Sequence, residues 1–317
     1  MLNLTYHLSD TIQENLKRID ELRTKILLTP LSPKQEMKLR YEANISKSYW
    51  ALTLADNPLT KAQIIKLLDN PLPKKLTDPQ KEIVGYLNAL SYIHNYWSGQ
   101  NKQITTRTVL DLYDLSCKKV FGSTLMYYKS KINEVEKILN FTQSGNDNPI
   151  IKAGLIQIEI IKLSPFENGT GRVARLLSHL LLSQYAYDLR GLLVIEDYYR
   201  NDLVSLKEAV SSIEKNKNAT IWLEYFTEGI KTGMTLVKNN LENKGLEPMK
   251  QSGWKLTERQ NKILEKLENP DLKITNKLVQ KAFGVSQITA SRDLSKMANL
   301  GILLPHGKGR SIFYTRV

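Results

Sequence analysis

Cysteine is nearly absent from the sequence, and Cys117 is the single example in 317 residues. One cysteine cannot form an intrachain disulfide or a thiolate metal cluster, so disulfide frameworks and zinc ribbons are excluded. The histidines are few and scattered, without the spacing of zinc ligands; they are His7, His94, His179 and His306. This cysteine usage is typical of a reducing compartment, and we expect a cytoplasmic location.

Long apolar runs are also missing. The most apolar region, 176–195, contains serine, histidine, glutamine, aspartate and arginine, which makes it too polar for a membrane span. Residues 1–4 do not begin the charged and then apolar segment of a secretory signal. The sequence therefore predicts no membrane association.

Acidic residues are outnumbered by basic ones. The chain has 32 Asp and Glu against 45 Lys and Arg, a net charge of +13, and an isoelectric point near 9.5. Such an excess indicates a polyanionic partner, with nucleic acid the first candidate. The alternative is a uniformly basic, solubilising surface, and the location of the charge decides between the two.

Helical spacing dominates the chain, and few segments alternate with the two-residue period of a strand. We predict a mainly α protein with an all-helical body and a small α+β domain after it. The body comprises an N-terminal helical segment at 1–75 and a core domain at 76–240. A polar stretch with glycine and proline predicts a linker at 241–255, and the second domain occupies 256–317.

The C-terminal domain has the pattern of a helix-turn-helix. A helix over Ile274–Phe283 ends at Gly284, and Ser286 is placed to cap the next helix. The apolar segments after Gly301 predict a β-hairpin, so the domain resembles winged-helix transcription regulators. From residue 254 to 317 there are twelve basic and five acidic residues, a net charge of +7.

DNA is the partner that this domain indicates. Side chains that hydrogen-bond to bases or phosphates occupy the early turns of the third helix, and basic side chains occupy the hairpin tip. Packing or dimerisation without DNA is the alternative, and a homodimer is compatible with either. The candidate DNA-binding residues are Gln287, Thr289, Ser291, Arg292, Lys308 and Arg310.

The segment "LSPFENGTGRVAR", 163–175, has the composition of an anion-binding turn. Gly169 and Gly171 let the backbone approach a ligand and expose N–H groups at the start of a helix. Arg172 and Arg175, three residues apart, are spaced to clamp phosphate oxygens. The turn alone is weak evidence, because many helices begin after glycines.

The same segment resembles the core motif of the Fic family, His-Pro-Phe-x-(Asp/Glu)-Gly-Asn-Gly-Arg-x-x-Arg. Further likenesses are "DNPLT" at 56–60, "YY" at 198–199, "WLEYF" at 222–226 and the C-terminal winged helix, so the resemblance spans nearly the whole chain. It implies a Fic-like all-helical domain followed by a winged helix. The motif positions that match are Pro165, Phe166, Gly169, Gly171, Arg172 and Arg175.

The resemblance also implies a chemistry. Fic proteins typically transfer AMP from ATP to a protein hydroxyl: the motif histidine acts as base, the motif carboxylate holds Mg²⁺, and the turn and arginines hold the triphosphate. If the site is functional, ATP and Mg²⁺ are the implied cofactors and a protein is the implied target. The implied nucleotide-binding residues are Asn168, Gly169, Thr170, Gly171, Arg172 and Arg175.

The motif is degenerate at three positions. Ser164 replaces the histidine, Asn168 replaces the magnesium carboxylate, and Thr170 replaces the asparagine. A serine hydroxyl is no base near pH 7, and losing a general base typically costs about 10²–10⁴ in rate. The glutamate with which many Fic proteins restrain themselves is also missing, because the aligned position holds Ala55 or, in a second alignment, Trp50.

These observations leave two main hypotheses. The first is a Fic-fold protein without ordinary adenylyltransferase activity, which keeps a phosphate-binding turn and regulates transcription through its winged helix. The second is an active Fic adenylyltransferase with an unusual base. An interaction protein with neither activity is the third alternative.

Overall fold

Helix caps determine where the first helices of the body begin. The computed structural model describes residues 4–70, 72–145, 147–244, 256–267, 272–299, 302–307 and 311–316. The Ser9 hydroxyl accepts from the third residue of its helix, and Ser32 and Thr60 form capping boxes with glutamines. These helices are α1 (Asp10–Leu28), α2 (Pro33–Thr53) and α3 (Lys61–Asp69).

The remaining helices of the body follow in chain order to residue 244. They are α4 (Asp78–Trp97), α5 (Thr106–Ser116), α6 (Lys118–Phe121), α7 (Leu125–Ser144), α8 (Pro149–Leu163), α9 (Thr170–Gln184), α10 (Glu196–Asn201), α11 (Leu203–Asn216) and α12 (Thr220–Lys244).

The core of the body surrounds α8. Every residue of this helix from Ile150 to Ile160 is buried, and the helix packs against α7, α9 and α12. Burial on all sides explains why its sequence is almost continuously apolar. Gly154 contacts α12 directly: its carbonyl accepts from the indole N–H of Trp222 at 2.8 Å, in the "WLEYF" segment.

The N-terminal segment completes this core. α1 packs along α12. Before α1, the amide of Leu4 donates to Oε1 of Glu159 on α8 at 3.0 Å. Thr5 forms a parallel bridge with Asn218, just ahead of α12.

The second domain is a winged helix-turn-helix. Its helices are α13 (Glu258–Lys266), α14 (Asn276–Phe283) and α15 (Gln287–Asn299), and its strands are β1 (Ile274–Thr275), β2 (Leu303–His306) and β3 (Phe313–Arg316). The antiparallel sheet has the order β1-β3-β2, and Leu303 lies opposite Arg316. Asp293 of α15 binds Arg259 and Gln260 of α13, at 2.5 and 2.8 Å, which fastens the first helix to the third.

The predicted fold class is confirmed: an all-helical body precedes a small α+β domain. Two short helices, α6 and α10, were not predicted, because four and six residues are too few to show a period. Ile274 lies in β1 and not in a helix; Thr275 caps α14 by accepting from the Leu278 N–H, so the helix starts later than its apolar spacing suggests.

The predicted domain boundaries remain predictions. α12 extends to Lys244 and so includes the first residues of the predicted linker, while 245–255 lie outside the described residues. Within the described ranges, no helix combines the length and apolarity that crossing a membrane requires.

Candidate functional site

Phe166 anchors the turn between α8 and α9. Its buried ring stacks between Tyr113 and Tyr128, with centroid distances of 4.6 and 5.2 Å. Such aromatic pairs contribute about 0.5–1.5 kcal/mol each beyond simple burial. The two tyrosine hydroxyls donate to the carbonyls of Gly122 and Thr106, which fixes the rings in place. The Pro-Phe pair of the motif therefore positions the residues that follow it.

A glycine turn begins α9. Gly169 is the N-cap residue, in the left-handed conformation with φ of 83°, and no side chain of the described residues caps this helix end. The Gly169 carbonyl accepts from the amides of Arg172 and Val173. The amides of Thr170 and Gly171, in the first turn, remain directed out of the helix. Together with the helix dipole they form a favourable position for an anion.

The left-handed turn leaves no space for a side chain at its first glycine. A Cβ on Gly169 would lie 2.6 Å from the buried Sγ of Cys117. For Gly169→Ala we expect a loss of about 1–2 kcal/mol from the backbone conformation and about 1–3 kcal/mol more from overpacking. Urea denaturation followed by circular dichroism measures the change.

Gly171→Ala is the matched control for this prediction. Its Cβ would meet only Nη1 of Arg175, at 3.5 Å, and its φ is helical. Alanine is better than glycine inside a helix by about 0.5–1 kcal/mol, so this variant is expected to be unchanged or slightly stabilised. Equal destabilisation of the two variants would contradict the proposed role of Cys117 and the left-handed turn.

Ser164 occupies the predicted position of the base. It ends α8 in a left-handed conformation, with φ of 47°, and its N–H donates to the Ile160 carbonyl at 3.0 Å. The side chain is exposed. A hydroxyl at this place can donate or accept a hydrogen bond, but it does not take a proton from an attacking hydroxyl near neutral pH.

Arg172 is buried and paired with a carboxylate of α4. Its Nη2 lies 2.8 Å from Oε1 of Glu82, and the two side chains are 5% and 13% exposed. Asn57, after α2, donates from Nδ2 to the other carboxylate oxygen at 2.6 Å. The guanidinium also lies over the ring of Phe121, 5.1 Å from its centroid. One of the two arginines predicted to hold phosphate is therefore already neutralised by the protein.

No sequence pattern near Glu82 predicts its contact with Arg172. The two positions that align with the family's restraining glutamate hold Ala55 and Trp50, and neither is a carboxylate. Glu82 precedes Arg172 by 90 residues, so only the packing of α4 against α9 brings the pair together. Asn57 belongs to the "DNPLT" segment, and its contact with Glu82 gives that segment a structural role.

Arg175 lies one turn further along α9 and is half-buried. Its Nη2 donates to the carbonyl of Ala51, near the end of α2, at 3.0 Å. Nε of Arg175 and Nη1 of Arg172 are buried without an acceptor in the described part of the chain. A buried donor without an acceptor costs about 1–3 kcal/mol. An anion at the glycine turn would supply acceptors to this side of the site.

The residues present fit a magnesium ion poorly. Asn168, at the position of the family's carboxylate, is exposed and uncharged, and the exposed Glu167 beside it is the nearest acid in sequence. No group of three or more histidine, cysteine or acidic residues is arranged to hold a metal among the described residues. A hard cation favours charged oxygen ligands, so the site lacks the charge that this ion requires.

A second candidate surface is the face of α15. Gly284 has a left-handed conformation, with φ of 61°, and forms the turn after α14. Ser286 accepts from the amide of Thr289 at 3.2 Å and so caps α15. Asn276 of α14 donates to the Gln287 carbonyl and the Ser291 hydroxyl, at 3.0 and 2.7 Å. These bonds fix the angle between the two helices.

The predicted DNA-binding residues are placed differently on this surface. Gln287, Ser291 and Arg292 are exposed, whereas Thr289 is half-buried and its hydroxyl bonds to Ser286. Lys308 and Arg310 lie outside the described residues. As binding residues all six remain predictions.

Ile288 was not identified from the sequence. It is 65% exposed on the first turn of α15, beside Gln287 and Arg292. Only its exposure in the structure distinguishes Ile288 from a core residue, because apolar residues in a helical pattern are expected to face the core. On a recognition helix, an apolar side chain at this position is suited to contact a thymine methyl group.

Comparisons with known proteins agree with both parts of this description. Residues 100–182 match the family model of the Fic/DOC family, and residues 259–314 match that of the DeoR-like helix-turn-helix domain. Relatives include "Protein adenylyltransferase Fic" of Aedes aegypti, 23% identical over 55% of this chain, and of Drosophila grimshawi, 26% identical over 58%. The matched region spans 39% and 42% of the length of those relatives.

Solved structures show the same fold. A Fic family protein from Desulfovibrio desulfuricans G20 superposes with a TM-score of 0.66 at 14% identity, covering 99% of this chain and 98% of that one. Fic-1 from C. elegans superposes with a TM-score of 0.59 at 16% identity, covering 72% of this chain and 71% of that one. The first of these likenesses includes the C-terminal domain as well as the helical body.

Proposed function

We propose that this chain, which joins a Fic/DOC family domain to a DeoR-like helix-turn-helix domain, is a DNA-binding transcription regulator whose Fic domain lacks ordinary adenylyltransferase activity. The observation that carries the first half is the exposed polar face at the start of α15, on a domain with an excess of basic residues. The second half rests on Ser164 at the position of the family's base.

The exposed residues of α15 are suited to the major groove. The helix fits this groove, and a glutamine and an arginine at its start match the hydrogen-bonding edges of adenine and guanine. Gln287 and Arg292 provide these types on adjacent turns. The surrounding lysines and arginines would neutralise phosphates, which gives affinity but little sequence preference.

DNA binding is tested by a gel-shift assay after selection of a preferred duplex from a random-sequence library. Binding is expected to weaken as salt rises, because released counterions drive it. Arg292→Ala is expected to cost about 1–3 kcal/mol of binding free energy, the value of one good base contact. Lys207→Ala, which removes an exposed charge from α11 of the body, should change affinity little.

Two results would count against this half of the proposal. Absence of any shifted band at low salt would show that the winged helix does not bind DNA. Equal effects of Arg292→Ala and Lys207→Ala would show that binding does not use α15.

The Fic domain is proposed to retain an anion site without the family's transfer chemistry. The amides at the start of α9 and the unpaired guanidinium atoms of Arg172 and Arg175 would hold a phosphate group, of ATP or a related nucleotide. Isothermal titration with ATP, with and without Mg²⁺, measures this binding. Because Asn168 is a poor magnesium ligand, we expect Mg²⁺ to change the affinity little.

An active protein adenylyltransferase is the second candidate function. The names of the curated relatives favour it, as do the preserved glycine turn and its two arginines. In that case a protein hydroxyl would be the target and an unidentified group would replace the histidine. The nucleotide-labelling experiment described below distinguishes the two candidates.

A further inference from the structure

A cavity of about 360 Å³ lies between the helical body and the winged domain. Helices α2 and α4 form its walls on the side of the body. The end of α15 and strand β2 close it from the other side, through Ala298 and the apolar segment Leu303–Pro305. Its volume falls within the range of about 300–1,000 Å³ that small-molecule sites occupy.

Polar side chains of the body face this cavity without hydrogen-bond partners. Asn44 on α2 and Ser91 and Asn95 on α4 line it, half-buried, and none has a partner in the described part of the chain. Nδ1 of His94, also in the lining, is buried and unpaired. A buried polar atom without a partner is rare, because it forfeits its bonds to water. Nδ1 of His94 is such an atom, and the half-buried amides and hydroxyl beside it can exchange bonds to water for bonds to a ligand.

The spacing of these residues shows that they share one face of α4. Val84, Asn88, Ser91 and Asn95 all line the cavity, at the intervals of four, three and four that place residues on the same stripe of a helix. A face that only packed against the winged domain would be expected to be apolar along its length. Three of these four positions carry amide or hydroxyl groups.

The lining presents no unbalanced charge. Arg40 is paired with Glu36 at 2.5 Å, and its Nε donates to the Arg190 carbonyl. Burial, with the nearby charges of Arg40 and Lys47, lowers the pKa of His94 to about 3, so this ring is neutral at pH 7. An ionic ligand would therefore be buried without a counter-charge, which is strongly unfavourable.

Flat rings complete the lining. Tyr41, Tyr92 and Tyr96 contribute aromatic side chains to a cavity that also holds three carboxamides, those of Asn44, Asn88 and Asn95. Carboxamides donate and accept side by side, which matches the edge of a heterocyclic base, and aromatic side chains stack on its faces. From this combination we propose that the cavity between the body and the winged domain binds an uncharged heteroaromatic molecule of the nucleobase or nucleoside class.

Calorimetric titration of the full chain tests the proposal. The probes are adenosine, guanosine, cytidine and uridine, together with free adenine and uracil at millimolar concentration, so that the two ligand forms are distinguished. At least one probe is expected to bind, and inorganic pyrophosphate, a probe for the glycine turn, is expected not to displace it. Asn95→Leu on α4 and Asn44→Leu on α2 are each expected to weaken binding about tenfold or more, because the ligand then loses its hydrogen bonds to that side chain.

Thermal unfolding provides the second measurement. Leucine is close to asparagine in size, and neither asparagine has a hydrogen bond to a described residue, so both variants are expected to fold with a stability close to that of the wild type without ligand. Asn140→Leu, on the exposed face of α7, makes the same chemical change away from the cavity and should leave binding unaltered.

The proposal is overturned if no probe binds the wild-type chain. It is also overturned if pyrophosphate abolishes binding while Asn44→Leu and Asn95→Leu leave it intact, because the ligand would then belong to the glycine turn.

Discussion

Wild-type protein incubated with labelled ATP, UTP or CTP in a cell lysate is expected to transfer no label to any protein. The reason is the exposed Ser164 hydroxyl at the position of the base, which cannot take the proton of an attacking hydroxyl. Removal of a general base reduces rates by about 10²–10⁴. The Glu82 carboxylate adds to the effect, because it already neutralises the Arg172 guanidinium, whose charge would otherwise balance that of a phosphate. Autoradiography of the separated lysate measures the transfer.

Two variants make this experiment decisive. Ser164→His restores an imidazole, and any label that appears with this variant alone would show that only the base is missing. Arg175→Ala removes the half-buried guanidinium at the turn. A wild-type signal that disappears in Arg175→Ala would contradict the proposal and establish an active transferase. Arg172→Ala is a worse control, because its effect on stability would be difficult to separate from an effect on catalysis.

Replacement of Arg172 by methionine is expected to lower the free energy of unfolding by about 3–5 kcal/mol. This is the usual cost of leaving one charge of a buried ion pair without its partner. The variant leaves the Glu82 carboxylate beside Asn57 with no positive charge. The double variant Arg172→Met/Glu82→Leu removes both charges, and we expect it to recover much of the loss. Chemical denaturation of the wild type, Arg172→Met, Glu82→Leu and the double variant measures the coupling between the two residues.

An exposed ion pair provides the comparison. Arg107 and Asp111 on α5 are paired at 2.8 Å, with side chains 71% and 32% exposed. A pair of this kind contributes about 0.3–0.5 kcal/mol, so Arg107→Met should be nearly neutral. A similarly small effect of Arg172→Met would mean that the Arg172–Glu82 pair is not structural, and it would leave Arg172 free to hold a ligand.

The local features of the fold could be predicted from the sequence. Ser286 before an apolar period indicated the start of α15, and glycines indicated the turns at 169 and 284. Each of these signals depends on residues within one or two turns of each other. The helix-turn-helix was predictable for the same reason, since its spacing is contained in a short segment.

The environment of the anion turn could not be predicted in this way. Four side chains reach the motif from distant parts of the body: Glu82 from α4, Tyr113 from α5, Cys117 from the junction of α5 and α6, and Tyr128 from α7. Nothing local to these residues indicates their partner. The segment before α3 carries no carboxylate at the aligned positions, and α4 supplies one instead. The same limit applies to the cavity between the domains, whose two walls are distant in sequence.

The contact between Leu4 and Glu159 has a practical consequence for dividing the protein into parts. Burial raises the pKa of the Glu159 carboxylate, and the Leu4 amide is a donor that favours its ionised form. A helical-body fragment cut to begin at α1 would lose that donor and leave the carboxylate inside the core. Fragments made to separate nucleotide binding from DNA binding should therefore keep the chain from its first residues, with any purification tag placed after α12.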